Sequence, residues 1–122
     1  MLTVLTCTGT QIDALLEQQF RTTGNTILQV PNGFTYTWDN AAPIGSRVDI
    51  ASIKINGTPI SAATPYRVAT NNFLATGGDG FAVFTGCTDP LGGEIDLDAL
   101  VRYFETRSPV APGPQNRITR VN

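Results

Sequence analysis

The stretch Tyr66–Phe81 constrains this chain most: Tyr-Arg-Val-Ala-Thr-Asn-Asn-Phe-Leu-Ala-Thr-Gly-Gly-Asp-Gly-Phe. A run of strand character, Tyr66 to Thr70, stops at Asn71 and Asn72. Phe73 follows, and then three glycines, Gly77, Gly78 and Gly80, surround one acid, Asp79. Clustered glycines admit backbone conformations closed to other residues and let the chain approach a ligand closely. The fold must therefore feed a strand into a tight loop that carries an aromatic ring and a carboxylate. That pair suits a ligand with a flat ring and hydroxyl groups, such as a nucleoside. The structural alternative is a turn capped by Asp79 with Phe73 in the core, and the loop pattern alone favours it.

The rest of the chain limits the chemistry. Its 122 residues make one domain, 1–122, long enough to bury a core without cofactors. Charged residues are 15% of the chain, the net charge is −2, and Lys54 is the sole lysine. No basic stripe is present of the kind that binds a nucleic-acid polymer. Apolar runs fall far short of a membrane span. Met1-Leu2-Thr3-Val4-Leu5 has neither a basic start nor a long apolar region, so it does not read as a signal peptide. Histidine is absent, which removes the commonest general base and the commonest transition-metal ligand. Two cysteines cannot build a zinc site, so neither a metal ligand nor a catalytic residue is assigned. Calcium at Asp79 fails for want of converging carboxylates.

Cys7 and Cys87 read as two buried thiols or as one disulfide, and the sequence leaves both open. Low lysine content and abundant Thr, Asn and Gly look extracellular. There, a bridge closing so long a loop would stabilise by roughly 4 kcal/mol in the chain-entropy model.

Along the chain, Leu2 to Cys7 alternates as a strand. Thr8 and Gln11 form a capping box before a helix from about Thr10 to Arg21, with Ile12, Leu15, Leu16 and Phe20 on one face. Gly24 is placed as its left-handed cap. Ile27 to Val30 and Phe34 to Trp38 read as strands, the second with Phe34, Tyr36 and Trp38 on a core face. Val48 to Ile55 has strand composition with a bulge where Ile50 and Ile53 break alternation. Asn56-Gly57 is a hairpin turn. Asn56-Gly57-Thr58 also matches a glycosylation acceptor, but Pro59 follows and the turn explains it better. Phe81 to Phe84 is placed as a strand and Asp89 to Gly93 as a loop. Asp96 is placed as the cap of a helix carrying Leu97, Leu100, Val101 and Phe104 on one face. Three prolines between Ser108 and Gln115 mark an extended connection to a last strand, Arg117 to Val121. Strands and helices alternate without a βαβ repeat, so the predicted class is α+β: a mixed β-sheet packed with two main helices.

Four stretches, in order, resemble the C-terminal domain of the 5′-nucleotidases. They are Leu5-Thr-x-Thr-Gly-x-Gln-Ile12, Ile27-Leu-Gln-Val30, Ile55-Asn-Gly-Thr-Pro-Ile60 and the Tyr66–Phe81 stretch. The resemblance covers nearly the whole chain, and the last stretch is its most specific part. Loop composition and the ending Asn116-Arg-Ile-Thr-Arg120 look most like secreted actinobacterial members.

The resemblance implies two domains sharing the work. An N-terminal metallophosphatase domain holds two divalent metal ions that activate water, and the C-terminal domain binds the nucleoside and carries it there by a hinge rotation. Phe73 then matches the second of two rings that sandwich the base, and Asp79 matches the acceptor for the ribose hydroxyls. Gly77, Gly78 and Asn71 belong to the same motif, and Gly24 is aligned with a backbone contact to the base. The family's first clamp ring, its phosphate-binding arginines and its metal ligands lie upstream of Met1 and have no counterpart here.

The chain therefore reads as an excised C-terminal domain with no cofactor of its own. Its expected partners are a nucleoside or nucleotide substrate and the missing metallophosphatase domain, and it is expected to lack phosphatase activity alone. The expected location is extracellular or at the cell surface. Truncation beside the first strand is expected to open a sheet edge or apolar patch and invite dimers. The competing class is a non-catalytic extracellular interaction module that keeps the fold.

Overall fold

Thr8 ends one element and begins the next. In the computed structural model, which describes every residue from Met1 to Asn122, strand β1 (Leu2–Thr8) runs directly into helix α1 (Gly9–Glu17). The Thr8 hydroxyl accepts from the Gln11 amide at 3.2 Å, and the Gln11 side chain accepts from the Thr8 amide at 2.9 Å. The capping box predicted from the spacing is present, and α1 buries Ile12, Leu15 and Leu16.

The helix ends earlier than its apolar pattern predicts. Phe20–Arg21 forms strand β2, paired with strand β3 (Gly24–Asn25) across a small hairpin. The β-branched Thr22 and Thr23 that follow favour extended backbone over another helical turn. Phe20 still reaches the core, stacked on Trp38 with ring centroids 4.6 Å apart. Gly24 is consequently a hairpin residue with φ 128°, not the left-handed helix cap expected. Ile27–Val30 forms no strand. Side chains bind its backbone instead: the Leu28 amide donates to Gln19 Oε1 at 2.7 Å, and Arg117 donates to the Val30 carbonyl at 2.8 Å.

Strand β4 (Phe34–Asp39) buries Tyr36 and Trp38 on one face, with Phe34 half-buried. Val48–Ile55 is not one strand. Val48 makes a single bridge to Trp38, and Ile50–Ser52 is a turn of 3-10 helix begun by Asp49, whose carboxylate accepts from the Ala51 amide at 3.0 Å. Only Lys54–Ile55 pairs as a strand, β5, so the broken alternation marks a helical turn and not a bulge. Asn56 and Gly57, both at positive φ, return the chain into β6 (Thr58–Pro59).

Strand β7 (Pro65–Asn71) leads into the four-residue helix α2 (Asn72–Ala75). The expected strand at Phe81–Phe84 is instead a 3-10 turn, Ala82–Gly86. Three-residue spacing puts Phe81 and Phe84 on one side of that turn, and both are buried. The expected loop at Asp89–Gly93 is largely strand: β8 (Thr88–Gly92) pairs with β1. Here sheet pairing overrides the low strand propensity of Asp, Pro and Gly. Helix α3 (Asp96–Arg107) has Ile95 as N-cap, so Asp96 sits in the first turn, favourably placed against the helix dipole, and does not cap. The chain ends in β9 (Ile118–Val121).

The class is α+β. One sheet is antiparallel with order β7-β1-β8, and the mixed sheet has order β6-β5-β4-β9, with β9 parallel to β4. β1 is the central strand of its sheet, flanked by β7 and β8. The apolar face of α3 is open: Leu97, Leu100, Val101 and Phe104 are between 46% and 65% exposed. Cys7 and Cys87 form a disulfide, their Cα atoms 4.9 Å apart, joining β1 to the end of the Ala82–Gly86 turn.

Candidate functional site

Strand β7 delivers the chain to the site, and Asn71 makes the bend. Its side-chain oxygen accepts from the Leu74 amide at 2.8 Å, capping α2. That helix lifts Phe73 to the surface, where it is 59% exposed. The core placement of Phe73, the blander of the two sequence readings, does not hold.

Gly78 supports the ring from below. A Cβ at position 78 would lie 2.7 and 2.8 Å from two ring carbons of Phe73 and 2.5 Å from its carbonyl oxygen. Its φ is not positive, so glycine is required by close approach and not by backbone hand. Gly77, at φ 89°, turns the chain just before it, and Asp79 follows at φ 57°, ψ 24°. Left-handed backbone is uncommon for a residue with a side chain and marks a constrained position. Asp79 is exposed and does not cap the turn it sits in. Phe73 and Asp79 are thus brought to one loop, with the ring resting on the residue next to the carboxylate.

Sequence reasoning missed what holds this loop. The Arg21 guanidinium donates through Nε to the Gln18 carbonyl at 2.9 Å and through Nη2 to the Asp79 carbonyl. It lies 5.0 Å from the centre of the buried Phe81 ring. Gln18 Oε1 accepts from the Val83 amide at 3.0 Å, and Gln11 Nε2 donates to the Gly86 carbonyl at 2.9 Å. One face of α1 and the residues just after it therefore grip residues 79 to 86. No pattern in the sequence flags the contacts to this loop, since each spans 58 residues or more. Gly24 pairs with Arg21 across the hairpin, so it neighbours the site through that residue.

The site is an open platform. A shallow depression of about 340 Å³ runs beside it, lined by Glu17, Gln18, Phe20, Arg21, Ile44, Gly45 and Gly80, and includes neither Phe73 nor Asp79. The perturbed acid of the region belongs to α1 and not to the loop. Burial, then the charges of Glu17 and Asp49, push the Asp13 carboxyl up to about 6, and its Oδ1 is buried without a partner. Glu17 is committed to structure, accepting from the Arg47 and Val48 amides at 2.9 and 2.8 Å. No set of three Cys, Asp or Glu side chains converges to hold a metal ion. The arrangement presents an exposed aromatic ring and an exposed carboxylate that can accept hydrogen bonds.

Comparison with known proteins gives a consistent result. The family model described as the 5′-nucleotidase C-terminal domain matches residues 1–86. The trifunctional nucleotide phosphoesterase protein YfkN of Bacillus subtilis is 40% identical over 122 residues, covering 93% of this chain and 8% of that protein. The cell wall protein Lmo0130 of Listeria monocytogenes is 29% identical over 106 residues, 86% of this chain and 13% of that one. Among solved structures, the 5′-nucleotidase precursor from Thermus thermophilus superposes with a TM-score of 0.87 at 32% identity, covering 99% of this chain and 25% of that one. The chain thus spans a quarter or less of each of these relatives.

Proposed function

The chain belongs to the 5′-nucleotidase C-terminal domain family, and from that premise we propose that it is the substrate-holding part of a metal-dependent nucleotidase. Phe73 stacks on the base and Asp79 accepts from the ribose hydroxyls, with Gly77 and Gly78 setting the spacing between them. The observation that carries this reading is an exposed phenylalanine fixed on glycine beside a carboxylate in left-handed backbone. Stacking on one aromatic ring contributes on the order of 1–3 kcal/mol and tolerates any base. A carboxylate accepting from two adjacent hydroxyls is a charge-assisted contact that fixes the sugar. Together they select ribonucleosides over free bases without choosing among bases.

Phosphoester hydrolysis needs parts this chain does not supply. Its residues do not fit a two-metal centre, having no histidine and no converging acids. We assign the metals, the phosphate contacts and the first clamp ring to a metallophosphatase domain and linker of a parent chain, and assign binding alone to this domain. An extracellular or cell-surface location fits the disulfide and the cell-wall relative. No helix is long and apolar enough to cross a membrane. The open stripe on α3 is the observation favouring a role as an interaction module, and that role is compatible with substrate holding.

A titration of the ¹⁵N-labelled chain with adenosine to millimolar concentration tests the reading. Shifts should cluster at Phe73, Asp79 and the intervening glycines, and Phe73→Ala should abolish them. Absence of shifts there, even with the upstream clamp segment restored, would overturn it.

A further inference from the structure

We propose that Arg21 is a positioning residue for the ribose-binding carboxylate: it holds Asp79 in left-handed backbone by gripping its carbonyl. The proposal rests on the reading of Asp79 as ribose acceptor. Asp79 lies between Gly78 and Gly80, the most permissive neighbours a residue can have, and its conformation at φ 57° is one that side-chain-bearing residues seldom hold unaided. A restraint from outside the loop is therefore needed, and Arg21 makes the direct contact. Its guanidinium donates through Nε to the Gln18 carbonyl at the end of α1 and through Nη2 to the Asp79 carbonyl. Its position by the Phe81 ring anchors the plane, because Phe81 is fully buried.

The space on the loop side is shaped to match. A Cβ at position 80 would lie 3.0 Å from the guanidinium carbon and from Nη2, so Gly80 lets the cation sit against the loop backbone. Gln18 adds a second tie beyond Phe81, through the Val83 amide. The route runs from helix to guanidinium to peptide to carboxylate. Arg21 needs no contact with the nucleoside. Lysine cannot reproduce it, since one ammonium does not supply a planar fork that bonds two carbonyls while lying beside an aromatic ring.

The test combines a ligand-free readout with a specificity ratio, using Arg21→Met and Arg21→Lys in the 122-residue chain. Without ligand, backbone order parameters at Gly78–Gly80 should fall from near 0.85 in the parent to below about 0.6 in Arg21→Met, with the helices unchanged. Unchanged order in that loop would overturn the proposal. With ligand, the parent should prefer adenosine to 2′,3′-dideoxyadenosine by about tenfold. Arg21→Met should bring the ratio near unity while dideoxyadenosine affinity stays within about twofold, and Arg21→Lys should fall between. A retained ratio, or equal loss for both ligands, would contradict positioning. If Arg21→Met does not fold, Arg21→Lys carries both readouts, and parent-like values in it refute the proposal. A parent that ignores the ribose hydroxyls would refute the role of Asp79, while loop order still decides that of Arg21.

Discussion

Ile12, Leu15 and Leu16 of α1 are at most 6% exposed, whereas Leu97, Leu100, Val101 and Phe104 of α3, set at similar helical spacing, are at least 46% exposed. Both helices have an apolar stripe, but only α1 buries it. It is capped by Thr8, follows directly from the central strand, and is tied by Gln11 and by Gln18 at its end to segments far along the chain. The disulfide fixes the strand that feeds it. By contrast, α3 is reached from the edge strand β8 and left through a proline-rich connection. An amphipathic pattern names the face a helix would bury and says nothing of whether a partner is at hand.

Breaking the disulfide should have the largest effect. It joins residues 80 apart, so Cys7→Ala with Cys87→Ala should cost about 4 kcal/mol in the chain-entropy model, read as a lower denaturant midpoint. A loss below about 1 kcal/mol would mean that the α1 half does not depend on the crosslink. Next, Leu16→Ala should cost about 2–5 kcal/mol, while Leu100→Ala on α3 should stay within about 0.5 kcal/mol. Equal losses would erase the contrast between the helices.

A smaller effect separates α1 by pH. Asp13 has its folded pKa raised from 3.8 to about 6, so the unfolded chain releases that proton first. The stability due to protonated Asp13 is fully present below about 3.8 and is lost as pH rises through about 6. Solvent screening limits the change to on the order of 1 kcal/mol. Thermal scans should show Asp13→Asn removing this decline, and a decline that persists in the variant would assign it to another group. Smallest of all is the stability cost of Phe73→Ala, within about 0.5 kcal/mol, because the ring is mostly exposed. A cost above 2 kcal/mol would make Phe73 a structural residue after all.

Much of the α1 half was legible. The capping box, the buried stripe of α1, the inward Tyr36 and Trp38, and the Asn56-Gly57 turn follow from local chemistry and are found where spacing puts them. Elements decided by distant partners were not legible. Thr88–Gly92 becomes a strand because β1 has an edge to pair, and Ile27–Val30 fails to become one because Gln19 and Arg117 bind its backbone instead. For the site, the motif gave the residues that share the loop but not their support. Gly78 matters through the ring above it, and Arg21 through a carbonyl 58 residues away, and neither relation has a period or a spacing to read.

The claim that Phe73 and Asp79 together form the face that receives a nucleoside is tested most directly by intermolecular nuclear Overhauser effects on the adenosine-saturated chain. Base protons H2 and H8 should show cross-peaks to the Phe73 ring, with the ribose protons placed near Asp79. Cross-peaks confined to other residues, such as the α3 stripe or the depression beside Arg21, would contradict it.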